Sequence, residues 1–245
     1  MRIVLFSGPT RVEVDPSRGG DIFSYTDERV GGDILWNTEK TDAPEKKSTE
    51  IGHNTQAFYD DYRGGIQELF PNTGDATTVR GAELPFHGEL CRTRMEITEQ
   101  SDTWVTLSAE LRRYPVRVNR KISIEERGKV HIRSEVCNLS PRELPYSWGL
   151  HPVFSEKLTK EGSHLWCRAR EAFSHPESFA NHQFHPPGSD VIFAEGELGN
   201  SLRLSPGDSG TADLIYVALE ENWFQLGLAA QPNVRVSWSN VEFRY

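Results

Sequence analysis

Apolar residues recur at every second position through much of this chain. Arg11 to Val14 alternates and stops at Asp15-Pro16, and Asp21 to Tyr25 follows the Gly19-Gly20 pair. The same period runs through Thr103–Leu111, Val116–Ile124 and Val130–Val136, and again through Leu214–Leu219 and Val234–Trp238. A two-residue period puts alternate side chains on opposite faces of a half-buried strand. Many short runs of this kind, broken by Gly, Pro, Asn and Asp, predict an antiparallel sandwich or barrel. No segment of ten residues or more has a convincing helical period. Met1 to Phe6 carries an apolar run too short for a signal peptide and reads as a first strand. Residues 39–63 are polar, lack alternation and read as a long loop. Asp60 to Asp75, with Gly64-Gly65 and Phe70-Pro71-Asn72, is too rich in Gly and Pro for a central strand and also reads as loop.

Composition narrows the function classes. The 245 residues carry a formal net charge of −9, which disfavours nucleic acid or an anionic membrane as partner, since both attract a basic face. No run approaches the ~18 apolar residues of a membrane span. The three cysteines, Cys91, Cys137 and Cys167, form no CxxC pair, so free thiols and a reducing, cytoplasmic setting are expected. A small neutral molecule suits such an acidic, aromatic-rich chain.

Two histidines stand out. His151 lies between two prolines in Leu144-Pro145-Tyr146-Ser147-Trp148-Gly149-Leu150-His151-Pro152-Val153-Phe154, and His87 lies in Leu84-Pro85-Phe86-His87-Gly88-Glu89-Leu90. In a rigid, partly desolvated setting the imidazole pKa moves in either direction across neutrality, which suits proton transfer at pH 7; the same setting also describes a packed core histidine. His175, His182 and His185, with His164 and Cys167, form a third grouping. The His182-x-x-His185 spacing allows two metal ligands on one turn, but the surrounding Pro, Asn and Ser favour a polar loop, and no metal is assigned.

In chain order, several pieces resemble the aldose 1-epimerase (galactose mutarotase-like) family. They are Arg18-Gly19-Gly20-Asp21-Ile22, Gly32-Asp33-Ile34-Leu35-Trp36, and Gly64-Gly65-Ile66-Gln67-Glu68-Leu69-Phe70-Pro71-Asn72. Phe86-His87-Gly88-Glu89, Tyr114-Pro115-Val116-Arg117-Val118-Asn119-Arg120 and Val136-Cys137-Asn138-Leu139-Ser140 follow, and the set closes with Leu144-Pro145 up to His151-Pro152-Val153-Phe154. The resemblance implies one large antiparallel β-sandwich over residues 1–245, with a sugar site on a sheet face. It implies an isomerase that interconverts the α and β anomers of a hexose or related aldose by opening and reclosing the pyranose ring through acid–base catalysis, with no cofactor. His151 matches the general acid and His87 the histidine that orients the sugar. Arg80, Arg92 and Glu89 are candidate sugar-binding residues, and Trp36 and Trp148 candidates for stacking on it.

The family's general base, a glutamate in a Glu-Pro-type motif near the C-terminus, has no match. Glu220, Glu221 and Glu242 do not fit the motif, and the strand-like ending Trp238–Tyr245 predicts either a chain cut short of its last strands or a relative without its base. Two alternatives follow: a hexose-6-phosphate mutarotase, for which Arg63, Arg80, Arg92 and Arg94 offer charge, and a non-catalytic sugar-binding relative.

Overall fold

The computed structural model describes residues 2–38, 58, 60–178, 184–196, 199–203, 213–228 and 233–239. Its contacts divide the chain into two units, Met1–Ser155 and Glu156–Tyr245. Most of the loop expected at 39–63 lies outside the described residues, as do His182 and Glu242.

The first unit contains β1 (Ile3–Ser7), β2 (Thr10–Asp15), β3 (Asp21–Asp27), β4 (Gly32–Asp33), β5 (Ile66–Leu69), β6 (Thr77–Val79), β7 (Ala82–Leu84), β8 (Glu96–Gln100), β9 (Trp104–Glu110), β10 (Val116–Ile124), β11 (Val130–Asn138) and β12 (Gly149–Pro152). One sheet runs β1-β2-β3-β5-β12, with β4 on β3; a second runs β11-β10-β9-β8; β6 and β7 form a separate hairpin. Every ladder in both sheets is antiparallel. The alternation in the sequence explains the packing. In β10, Val116, Val118, Ile122 and Ile124 are buried while Arg117 and Lys121 face water. They join Val105 and Leu107 of β9 in one core with Leu5, Val12, Val14 and Ile22 of the first sheet. Each such side chain contributes about 1.5–3 kcal/mol on burial.

One core position is charged. Arg120 falls in phase with the buried valines and isoleucines of β10 and is completely buried. Its Nη1 lies 3.1 Å from Glu68 Oε2 on β5 and donates to the Gly19 carbonyl at 3.0 Å. Glu68 also accepts from the Ser134 hydroxyl of β11 (2.8 Å) and from the Trp148 indole (2.6 Å). A carboxylate with three donors is the condition under which a buried charge survives. The network ties β5 and the approach to β12 on one sheet to β10 and β11 on the other. Trp148, expected as a stacking candidate, is thereby committed to the core.

The segment around 66–69 corrects the sequence reading. Rather than loop, Ile66–Leu69 is a strand between β3 and β12. Its polar residues are buried because they find partners: Gln67 Nε2 donates to Asp21 at 3.1 Å, and Glu68 meets Arg120. Gly65, at φ +79, lets the chain lie against Ile22; an added Cβ would strike the Ile22 carbonyl.

The second unit contains α1 (Glu156–Thr159), β13 (His164–Ser174), β14 (Ala194–Gly196), β15 (Gly199–Arg203), β16 (Ile215–Gly227) and β17 (Val234–Ser237), in sheet order β14-β15-β13-β16-β17. Cys167, Ala172, Val191 and Phe193 form its core. Here His185 Nδ1 lies 2.7 Å from Asp213 and His175 packs against Tyr216. Among the described residues no helix is long and apolar enough to cross a membrane, and the three cysteines are free.

Candidate active site

The site builds up from β5 and the turn that follows it. His151 sits on β12, directly opposite Gln67 of β5. Past Leu69 the chain passes through a cis Phe70-Pro71 peptide into the turn at 72–75. The Asn72 amide donates to the carbonyls of Asp75 (2.6 Å) and Pro85 (3.2 Å), so this turn and the one carrying His87 are fastened together. His87 has φ 63, an uncommon conformation for a residue with a Cβ. It is held there by its own N–H on the Gly74 carbonyl (3.0 Å) and by the Gly88 N–H on Pro85 (2.9 Å). Gly88, at φ +73, packs against the Phe70 carbonyl where no side chain fits.

These constraints bring the two predicted histidines together. The ring centroids of His87 and His151 are 5.7 Å apart, with the planes inclined at 44°. Both are half-buried. His87 Nδ1 is 2.7 Å from the Thr73 carbonyl oxygen. A carbonyl only accepts, so Nδ1 carries the proton and Nε2 of the neutral ring is an acceptor. His151 Nδ1 is 3.3 Å from the Tyr62 hydroxyl. Among the described residues no partner engages Nε2 of either ring, and neither atom is sealed from solvent. Burial lowers the pKa of both imidazoles; for His87 the bond to Thr73 opposes that shift, while His151 and Arg92 add to it.

Aromatic rings frame the pair. The Phe86 ring lies 3.9 Å from that of His87 at a tilt of 38°, and Phe58 meets it edge-on at 4.8 Å. Tyr62 lies 5.8 Å from His151 and 6.3 Å from Trp36, which is 43% exposed. Phe58 and Tyr62 escape the sequence reading. Their one local signal is an aromatic residue directly before Arg63-Gly64-Gly65, where the chain folds sharply back onto the sheet.

The other candidates separate. Arg92 stands near the pair, with its guanidinium carbon 5.6 Å above the Phe58 ring. Arg80 occupies the exposed tip of the β6–β7 hairpin at φ 49, and its electrostatic neighbour is Tyr114 rather than either imidazole. Glu89 is buried and accepts the backbone N–H groups of Arg112 (2.6 Å) and Arg113 (3.1 Å). Its carboxylate therefore holds the loop before β10, a different task from the sugar contact expected of it. Burial raises its pKa against those two bonds.

The architecture has counterparts among solved structures. A galactose mutarotase-like protein from Lactobacillus casei superposes with a TM-score of 0.65 at 14% identity, covering 97% of this chain and 79% of the other. This is the galactose mutarotase-like fold. A galactose mutarotase related enzyme from Lactobacillus acidophilus has a TM-score of 0.66 at 15% identity, over 96% of this chain and 76% of its own. An aldose epimerase homologue from C. elegans shares the mutarotase-like fold at a TM-score of 0.57 and 12% identity, over 94% and 76%. No family model matches the sequence, and no curated protein matches it significantly.

Proposed function

We propose that this protein is an aldose 1-epimerase that interconverts the α and β anomers of a hexose or related aldose by opening and reclosing the pyranose ring. The observation that carries the reading is the pair His87 and His151, 5.7 Å between ring centres, with neither Nε2 atom engaged among the described residues. Ring opening needs a proton removed from the anomeric hydroxyl and one delivered to the ring oxygen, two atoms bonded to the same carbon. Positioned acid–base groups contribute about 10²–10⁴ each to such a step. His151 is assigned as the acid. Phe58, Phe86, Tyr62 and Trp36 supply apolar faces for the C–H side of a sugar ring, and Arg92, over the Phe58 ring, is assigned as a donor to its hydroxyls.

Polarimetry tests this directly. Freshly dissolved α-D-glucose, α-D-galactose and, for the phosphorylated alternative, glucose 6-phosphate are followed with and without the protein. Accelerated approach to anomeric equilibrium that His151→Gln abolishes is expected. Binding of a sugar without acceleration would reassign the protein to recognition alone, and neither binding nor acceleration would overturn the carbohydrate reading.

A further inference from the structure

The Tyr62 hydroxyl meets His151 Nδ1 at 3.3 Å, and the residues on either side of Tyr62 are held by one short piece of chain. Pro16–Arg18 is a 3₁₀ turn between β2 and β3 with Asp15 as its N-cap; the Asp15 carboxylate accepts from the Ser17 amide at 3.0 Å and the Ser17 hydroxyl at 2.6 Å. At one end of this turn, Arg18 Nη1 donates to Asp61 Oδ2 at 2.7 Å and Nη2 to the Asp61 carbonyl at 3.1 Å. At the other end, Asp15 Oδ2 lies 4.0 Å from Arg63 Nη1. Asp61 and Arg63 bracket Tyr62, so the turn meets the chain with opposite charges both before and after the tyrosine.

We propose that Arg18 is a positioning residue for proton transfer at His151, acting through Asp61 to hold the Tyr62 hydroxyl on Nδ1 of that ring. The inference rests on the epimerase reading and goes beyond it by tracing what sets the acid in place.

Arg18 suits the task because its planar fork grips a side-chain and a main-chain oxygen of the same residue, which fixes the course of the backbone as well as a charge. The turn that carries it is anchored in its own right. The Gly19 N–H donates to the Thr93 carbonyl at 2.7 Å, and the Gly19 carbonyl accepts from Arg120, the arginine paired with Glu68. Asp21 also faces Arg18, together with Arg120, Gln67 and Asp15, but burial pushes its carboxyl up to about 8. At neutral pH that carboxyl is mostly uncharged, and the charge on Arg18 is answered by Asp61. The Phe58 and Trp36 rings, 5.2 and 6.3 Å from that of Tyr62, limit its tilt; how far its hydroxyl advances towards β12 is set by the backbone at 61–63. There the hydroxyl serves the charged form of His151 by accepting from Nδ1–H, which leaves Nε2–H to face a ring oxygen. Without that acceptor the half-buried imidazolium has an unanswered N–H, adding to the effect of burial, which already disfavours the charged ring.

The experiment is a double-mutant cycle on kcat, measured by polarimetry for the wild type, Arg18→Met, Tyr62→Phe and the two together. Arg18→Met is expected to lower kcat by about two- to tenfold, the scale of one hydrogen bond, and to cause no further loss once Tyr62 is Phe. Arg18→Lys, which keeps the charge and one donor for Asp61, should fall between wild type and Arg18→Met. A merely structural arginine would lower kcat by the same factor in both backgrounds, and that outcome overturns the proposal. Asp61→Ala, at a side chain 39% exposed, cuts the same grip from the other side and carries the cycle if Arg18→Met does not fold. Nitrogen NMR of labelled protein supplies a readout independent of activity. The His151 Nδ1 resonance, assigned by its loss in His151→Gln, should shift in Arg18→Met and Asp61→Ala in the direction it takes in Tyr62→Phe. A resonance that moves only in Tyr62→Phe, or in none of the three, would overturn the proposal while sparing the epimerase. A wild type that accelerates no sugar overturns the epimerase reading itself, and the resonance still decides whether Arg18 holds Tyr62 on the imidazole.

Discussion

The buried Glu68–Arg120 pair allows a quantitative test of what holds the site in place. Glu68→Gln keeps the shape and one carbonyl acceptor but removes the charge. Arg120, 0% exposed, is then a cation in the core with no counter-ion at 3.1 Å. Breaking a buried pair from one side costs about 3–5 kcal/mol, a large part of the ~5–15 kcal/mol that holds a domain together. With a urea slope of about 2–3 kcal/mol per molar, the midpoint should fall by about 1–2.5 M. Arg120→Met alone should also destabilise, because it leaves the carboxylate buried with only Ser134 and Trp148. In Glu68→Gln combined with Arg120→Met, no charge remains and the amide oxygen still serves the indole or the hydroxyl. The double variant should recover to within about 1–2 kcal/mol of wild type. Urea titration followed by far-UV circular dichroism measures all four corners of the cycle. A Glu68→Gln shift below about 1 kcal/mol, or singles that simply add, would refute the claim that this pair is a desolvated clamp.

Three further expectations follow from other positions. Tyr62→Phe removes the hydroxyl at 3.3 Å from His151 and should lower kcat by about two- to tenfold, the equivalent of one hydrogen bond of ~0.5–1.5 kcal/mol; an unchanged kcat in the polarimetric assay would show that Tyr62 does not orient the ring. Gly88→Ala and Gly81→Ala place a Cβ at similar positive φ, +73 and +84, but the first meets the Phe70 carbonyl and the second open space. Thermal melts should show Gly88→Ala losing clearly more, with about 1–3 kcal/mol of strain plus the clash, and equal losses would contradict the packing described. Asp27, donated to by Arg29 and Thr10, is held at about 2 against the usual 3.8. A carboxyl depressed in the folded state contributes stability that is complete above about pH 4 and lost as pH falls towards 2. The deficit of Asp27→Asn relative to wild type should therefore shrink over that interval, and a deficit constant from pH 5 to pH 2 would show that the carboxylate charge is not its source.

Strand period made the scaffold legible: β10 and β11 coincide with runs whose alternation needs no tertiary information. β5 was not legible, because its buried residues are Gln67, Glu68 and Leu69, and polar side chains enter a core only where partners from distant strands await them. Arg120 is the instructive case. An arginine in register with four core aliphatics is visible in the sequence as an anomaly, but its partner on β5 is 52 positions away, and only the packing of two sheets identifies it. The two histidines stand out in the sequence by their proline and glycine surroundings, which reflect local backbone constraint, and the fold sets their rings 5.7 Å apart. Tyr62 and Phe58 reach the pair from a segment with no period at all, so only the step from Tyr62 to Arg63-Gly64-Gly65 gives a local mark. Adjacency to His87 in the chain does not reveal where the turn sends the Glu89 carboxylate, which is onto the amides of 112 and 113.

The Asn72 clasp has a consequence for variation. By gripping Asp75 on one side and Pro85 on the other, it closes the base of the excursion that β6 and β7 make, so the outer end at Arg80 and Gly81 is mechanically insulated from His87. New residues spliced in at that outer end would leave the placement of His87 undisturbed. Length can vary there while the two imidazoles keep their mutual position.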